Sequence, residues 1–154
     1  MTTEQAVVKK LLENHKKIST AESCTGGLVS QMLTSVPGSS GCLDLCVVTN
    51  ANHQKTKVLG VKPETLEKFG SVSKETALEM SKGIKAISDA DIGIGITGIA
   101  GPGGGSNEKP VGLVYIGICT NEEHKAFKYI FCGDRQEVRA QAAEEALRIA
   151  LERI

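Results

Sequence analysis

Three short segments of this 154-residue sequence gather side chains able to do chemistry. The first is Ala21-Glu22-Ser23-Cys24-Thr25-Gly26-Gly27, where hydroxyls and a thiol cluster ahead of paired glycines. If a strand ends and a helix begins there, the free N–H groups and the helix dipole favour an anion or an oxyanion. Ser23 and Thr25 serve equally well as plain helix N-caps. Cys24 in this setting could have a lowered pKa, but no His is placed to partner it, so Ser23 ranks above it as a nucleophile. The second segment is Thr49-Asn50-Ala51-Asn52-His53-Gln54-Lys55. Its lysine is either an ordinary surface cation or, desolvated in a pocket, a base. The third is the glycine-rich run 98–106, whose bare N–H groups either form an anion nest or make a surface turn. Arg135 adds a candidate charge-assisted contact to phosphate. A serine and a lysine brought together make a Ser/Lys hydrolase the chemistry to test for.

Two familiar phosphate motifs do not account for the glycines. Gly93-Ile-Gly95-Ile-Thr-Gly98 matches G-x-G-x-x-G, yet that fingerprint needs its glycines after a strand and opening a helix. Here two of them lie inside the predicted strand, and Gly101-Pro102-Gly103-Gly104-Gly105 opens no helix. No Gly-Lys-Ser/Thr closes the run, which excludes a Walker loop.

These segments need elements to position them. The spacing of Val7, Val8, Leu11, Leu12 and His15 predicts a helix over 3–16. Ile18–Glu22 reads as a short strand, 25–35 as a helix stopped by Pro37-Gly38, and 43–49 as a mostly apolar strand. Helices follow over 52–59 and over 63–69, the latter with Pro63 at its first position. Ser73 caps a longer helix to Ile87, with Ala77, Met80, Ile84 and Ile87 inward. Residues 91–97 form a strand whose glycines mark close approach of a backbone or a ligand. Residues 111–120 and 125–132 pair as a hairpin. Asp134 and Glu137 make a capping box for a last helix, with Val138, Ala142, Ala146, Leu147, Ala150 and Ile154 inward. This alternation predicts an α/β three-layer sandwich: a mixed, mostly parallel sheet flanked by helices, with a late antiparallel hairpin, in one domain over 1–154. If the strands at 18–22, 43–49 and 91–97 run parallel, their carboxyl ends share one edge. Open α/β sheets bind ligands there, so Ser23, the 50–55 segment and Thr97 with its glycine loop converge.

Composition narrows the partners. Eighteen Lys plus Arg balance eighteen Asp plus Glu, which argues against nucleic acid or an anionic membrane as partner. Scarce aromatics argue against a single-strand stacking platform. The five cysteines, Cys24, Cys42, Cys46, Cys119 and Cys132, contain no C-x-x-C, and none of the three histidines lies four residues from another. That spacing predicts reduced thiols of a cytoplasmic protein and no metal site. No apolar run approaches the ~20 residues of a membrane span, and residues 1–5 lack the basic start and apolar stretch of a signal peptide.

AESCTGG (21–27), PGSSG (37–41), the T-x-x-N-x-x-K pattern (49–55), TGIAGPGGG (97–105) with KPVG (109–112), and GDR (133–135) resemble, in order along nearly the whole chain, the C-terminal domain of the competence/damage-inducible CinA family. Longer members carry a further N-terminal, nucleotide-related domain that lies outside this sequence. The resemblance implies a nicotinamide mononucleotide deamidase, acting as a homodimer on a small nucleotide without cofactor or metal. Lys55 would take a serine proton, the serine would attack the amide carbon, and water would hydrolyse the acyl-enzyme. Backbone N–H groups would hold the oxyanion. The substrate would lie against Thr25, Gly26, Asn50, Asn52, Thr97, Gly98, Ala100, Gly101, Gly104 and Arg135. Two serines match the family pattern, Ser23 and Ser40, and the resemblance leans to Ser40. Strand geometry favours Ser23, because Ser40 precedes the strand that Lys55 follows, and about seven extended residues span roughly 23 Å. For Ser40 to act, the 36–43 loop must climb back over the sheet, or a second subunit must supply one of the residues. One departure stands out: the family reads Thr-Tyr-Ser-Asn where this chain has Thr49-Asn50-Ala51-Asn52. A lost hydroxyl donor costs on the order of 10²-fold in rate. The alternative reading is therefore a catalytically weakened nucleotide-binding or regulatory module of the same fold.

Overall fold

In the computed structural model, which describes residues 1–154, five strands form one sheet: β1 (Ile18–Glu22), β2 (Leu43–Val48), β3 (Ile92–Gly98), β4 (Leu113–Cys119) and β5 (His124–Ile130). Their spatial order is β2-β1-β3-β4-β5. β1 runs parallel to both β2 and β3, while β4 pairs antiparallel with β3 and with β5. The expected α/β class, with a parallel core and an antiparallel end, is the observed one. Six helices cover the sheet: α1 (Thr3–Glu13), α2 (Leu28–Thr34), α3 (Asn52–Leu59), α4 (Pro63–Phe69), α5 (Lys74–Ile87) and α6 (Arg135–Leu151). α1, α2 and α6 pack together on one face, α3, α4 and α5 on the other.

The two faces of β3 explain its glycines. Ile92, Ile94 and Ile96 point into the larger core with Val29, Leu33, Val138 and Ala142. Gly93 and Gly95 alternate with them and face α5. A Cβ on Gly95 would sit 2.6 Å from the Ser81 backbone nitrogen and 2.7 Å from the Met80 Cβ. A Cβ on Gly117 of β4 would collide with the Ala77 carbonyl. The strand glycines thus let the α5 backbone lie directly on the sheet, which is the backbone alternative of the two that interior strand glycines offer. Ala77, Met80 and Ile84 are buried there, whereas Ile87 at the end of α5 overhangs the sheet and is half exposed.

The strand edges fall within two residues of the sequence expectations, and three differences at the helices stand out. α1 stops at Glu13, and His15 adopts a left-handed φ of 54°, so Leu12 and His15 face solvent. α2 begins at Leu28 rather than at residue 25, because Gly26 and Gly27 both have positive φ. Ile154 lies beyond α6 but still packs on the core. The capping boxes of α6 (Asp134 with Glu137) and the Ser73 cap of α5 are as expected.

Candidate active site

β1 delivers Ser23 to the carboxyl edge of the sheet, and the turn after it is held by the residue before it. Glu22 is fully buried. Its carboxylate accepts from Thr25 Oγ1 at 2.6 Å, from the Gly27 and Val29 amides at 3.2 and 3.0 Å, and from the Ser30 amide at 3.1 Å. The N-cap position of α2 is Gly27, which has no side chain to offer. Glu22 therefore caps α2 from the preceding strand, and neither Ser23 nor Thr25 is the cap. The anion seat at this helix start is taken by the protein's own carboxylate. Ser23 is left free for other work.

Lys55 lies beside it. One turn into α3, its side chain is 1% exposed. Nζ donates to the Thr49 carbonyl at 2.7 Å and the Asn50 carbonyl at 3.2 Å, and lies 3.2 Å from Ser23 Oγ. None of the five ion pairs of the chain includes Lys55. Burial without a paired carboxylate pulls its pKa below the ordinary 10.5, with the nearby Cys24 opposing weakly. Two carbonyls fix two of the Nζ hydrogens, so the remaining tetrahedral direction points at Ser23. In the ammonium form a hydrogen lies along it; in the neutral amine the lone pair does, placed to receive the serine proton. Cys24, beside this pair, is pushed up to about 11 by burial, against the pull of its own backbone amide. It stays a thiol at neutral pH, which removes it from contention as the nucleophile.

A cavity of about 290 Å³ opens over the pair, walled by Ser23, Cys24, Asn50 and Lys55 on one side, Thr97 and Gly98 at the end of β3, and the loop through Gly104 on the other. Thr97 Oγ1 donates to the Ser71 carbonyl at 2.6 Å, so its oxygen remains an acceptor toward the cavity. The loop is pinned at both ends: Ile99 N donates to Leu113 O, and Ser106 N to Lys109 O. Between them, the amides of Ala100, Gly101, Gly103, Gly104 and Gly105 donate to nothing in the chain. Gly101 and Gly104 hold φ of 86° and 89°, the backbone of an anion nest. Arg135 Nη1 donates to the Gly101 carbonyl at 2.8 Å and its guanidinium forms part of the wall. A larger cavity of about 440 Å³ on the α5 side, lined by Leu59, Leu78, Lys82 and His124 among others, holds no nucleophile beside a base. Nowhere do three His, Cys, Asp or Glu side chains converge as metal ligands, and no helix is long and apolar enough to cross a membrane.

The structure thus brings together Ser23, Lys55, Asn50, Thr97, Gly98, Ala100, Gly101, Gly104 and Arg135. It does not bring Ser40 to them. The 36–43 loop stays at the amino end of the sheet, where Ile18 N donates to Cys42 O and Ile18 registers with Leu43, while Ser23 follows the Glu22–Val48 pair at the other end. Ser40 is exposed there, in a single 3-10 turn. Within one chain, Ser40 and Lys55 therefore do not meet. Thr25 is buried against Glu22, Gly26 lies beneath the Arg139 guanidinium, and Asn52 is exposed at the start of α3; none of the three lines the cavity. Sequence reasoning missed Ser71 and Val72, which approach from the segment before α5, and Glu22 and Arg139, which shape the serine turn. Arg139 had one legible signal: it sits four residues after Arg135, one helical turn along the same face.

Comparison with known proteins gives the family. A family model described as the CinA C-terminal domain matches residues 1–154. A Clostridium tetani relative, provisionally named a competence-damage inducible protein, is 53% identical over 146 residues, covering 95% of this chain and 36% of that protein. A CinA-like protein of Endomicrobium trichonymphae is 50% identical over 137 residues, covering 89% of this chain and 32% of its own length. The chain thus spans about one third of the length of these relatives. The crystal structure of a CinA superfamily protein from Klebsiella pneumoniae superposes with a TM-score of 0.94 at 34% identity, covering 98% of this chain and 94% of that one. The competence/damage inducible protein of Agrobacterium tumefaciens gives 0.88 at 38% identity, over 99% and 97%. By sequence and by fold, the chain belongs to the CinA C-terminal domain family.

Proposed function

We propose that this chain is a nicotinamide-nucleotide amidase, converting the carboxamide of nicotinamide mononucleotide to a carboxylate with release of ammonia, through Ser23 and Lys55. The observation that carries the reading is the buried Lys55 Nζ, 3.2 Å from Ser23 Oγ with two of its hydrogens committed to carbonyls. The substrate class comes from the resemblance to the family. Neutral Lys55 takes the Ser23 proton as Oγ bonds to the amide carbon, and the carbonyl oxygen becomes an oxyanion. The oxyanion collapses, the C–N bond breaks, and the Lys55 ammonium returns its proton to the leaving nitrogen, giving ammonia and an acyl-serine. Water then loses a proton to Lys55 and attacks the ester; collapse returns the proton to Ser23 Oγ and frees the acid. The unpaired amides from Ala100 to Gly104, with Arg135, suit the phosphate of the nucleotide.

Ammonia release from nicotinamide mononucleotide tests this. Wild type is expected to turn over, Ser23→Ala and Lys55→Met to lose activity by about 10³-fold or more, and Ser40→Ala to remain near wild type. Loss in Ser40→Ala with retention in Ser23→Ala would overturn the assignment and point to a serine supplied by a second copy. Asn50 supports a second reading, a nucleotide-binding module with weakened catalysis, since its amide stands in the cavity wall where the family pattern has a tyrosine. Calorimetric binding without turnover, and turnover regained in Asn50→Tyr, would favour it.

A further inference from the structure

The amides of the serine turn can be accounted for one by one. Gly26 N donates to Ser23 O and Leu28 N to Thr25 O, while Gly27, Val29 and Ser30 donate to Glu22. The Ser23, Cys24 and Thr25 amides donate to nothing in the chain. The carbonyls of Cys24 and Thr25 are both taken by a side chain from far along the sequence. Arg139 of α6 donates from Nε to Cys24 O and from Nη2 to Thr25 O, each at 3.1 Å, while Nη1 is held by Gln136 Oε1 at 2.6 Å. A trans peptide points its N–H opposite to its C=O. Holding the Cys24 carbonyl against α6 therefore turns the Thr25 amide away from α6. The guanidinium grips the two adjacent carbonyls from two separate nitrogens held in one rigid plane, an orientation that the single, freely rotating nitrogen of a lysine does not impose. Gly26 makes room for it: a Cβ there would lie 3.1 Å from Nη2, on a backbone whose φ is 61°.

We propose that Arg139 is a positioning residue that, by gripping the Cys24 carbonyl, holds the unpaired Thr25 amide and, by gripping the Thr25 carbonyl so that Gly26 N keeps its bond to Ser23 O, holds the unpaired Cys24 amide, the two forming the oxyanion hole for attack by Ser23. The inference rests on the Ser23/Lys55 reading, goes beyond it in assigning the oxyanion donors, and assigns Arg139 no contact with substrate. A misaligned donor pair weakens transition-state binding and leaves ground-state binding nearly alone.

The test uses two readouts on the full chain: the rate at which a fluorophosphonate labels Ser23, located by mass spectrometry, and the kinetics of ammonia release. Arg139→Met is expected to lower both the labelling rate and kcat by about 10²-fold, with KM within about threefold of wild type. The pH at which activity rises stays at its wild-type position, and added ethylguanidinium restores part of the loss. A labelling rate within about threefold of wild type, or a loss that tracks the unfolded fraction and resists guanidinium, overturns the proposal. Should the methionine variant fail to fold, Arg139→Lys serves: a tenfold or greater loss, on the order expected for one lost donor, is expected at wild-type stability, and full retention overturns the fork's role. Wild type that is labelled at Ser23 yet releases no ammonia would sink the deamidase reading while leaving the labelling test in force. No labelling at Ser23 would sink both.

Discussion

Replacing Glu22 gives the sharpest test of how the serine turn is built. The side chain accepts four hydrogen bonds, and Val29 and Thr25, two of the donors, are fully buried. Glu22→Ala orphans all four. Water can reach the half-buried Gly27 and Ser30 amides, which leaves two donors without an acceptor. A buried donor left unpaired costs about 1–3 kcal/mol, so two cost about 2–6 kcal/mol. Removing a buried charge works the other way, which sets the expectation in the lower half, about 2–4 kcal/mol. Glu22→Gln keeps one oxygen for Thr25, Gly27 and Val29 and turns an NH₂ toward the Ser30 amide. The Ser30 amide loses its acceptor but is within reach of water, so the cost lies at the low end, about 1 kcal/mol. Urea unfolding followed by circular dichroism gives both numbers, and against a total of about 5–15 kcal/mol either is readily resolved. The expected order is alanine worse than glutamine, with Ser23 labelling slowed in both. Two variants of equal stability, each within about 0.5 kcal/mol of wild type, would refute the claim that Glu22 caps α2 and holds the turn.

Three further outcomes are expected. The proposed mechanism requires neutral Lys55, whose pKa is lowered by burial, so kcat/KM should rise with pH through a limb centred below 10.5 and vanish in Lys55→Met. The unfolded chain binds the Lys55 proton more tightly than the folded one, so this group's contribution to stability rises with pH from the folded pKa up to the unfolded value; a limb at or above the ordinary lysine value would contradict the buried geometry. Gly95→Ala places a Cβ 2.6 Å from the Ser81 nitrogen and should cost about 1–3 kcal/mol, lowering the melting temperature by about 2–4 °C per kcal/mol; an unchanged melting temperature would show that α5 is free to lift. Iodoacetamide at pH near 8 should modify exposed Cys132 first and spare Cys24, whose thiol is held up to about 11; fast modification of Cys24, mapped by mass spectrometry, would put a thiolate back among the candidate nucleophiles.

The sequence made the elements legible because their periods are strong. Alternating Ile and Gly in 92–98, the Ser73 cap and the Asp134–Glu137 box each have a local cause. The meeting of Ser23 with Lys55 was also legible, since three parallel strands put their carboxyl ends on one edge. Other parts of the site were not. The strand glycines left backbone and ligand open as causes, and only the structure places α5 against them. Ser23 and Thr25 have the right chemistry to cap a helix, but paired positive-φ glycines delay α2 until Leu28 and hand the cap to Glu22, a residue that the strand pattern hides. Arg139 is invisible locally because its two carbonyl partners lie 115 and 114 residues away.

That separation has a bearing on how the protein is made. The serine and lysine emerge from the ribosome before α6, with the whole of β1 and β2, while the guanidiniums that seat against the serine turn and the glycine loop belong to α6. A nascent chain still lacking α6 has Ser23 and Lys55 but not the grip that fixes the surrounding peptides. The serine turn and the glycine loop are therefore fixed in place only once α6 docks.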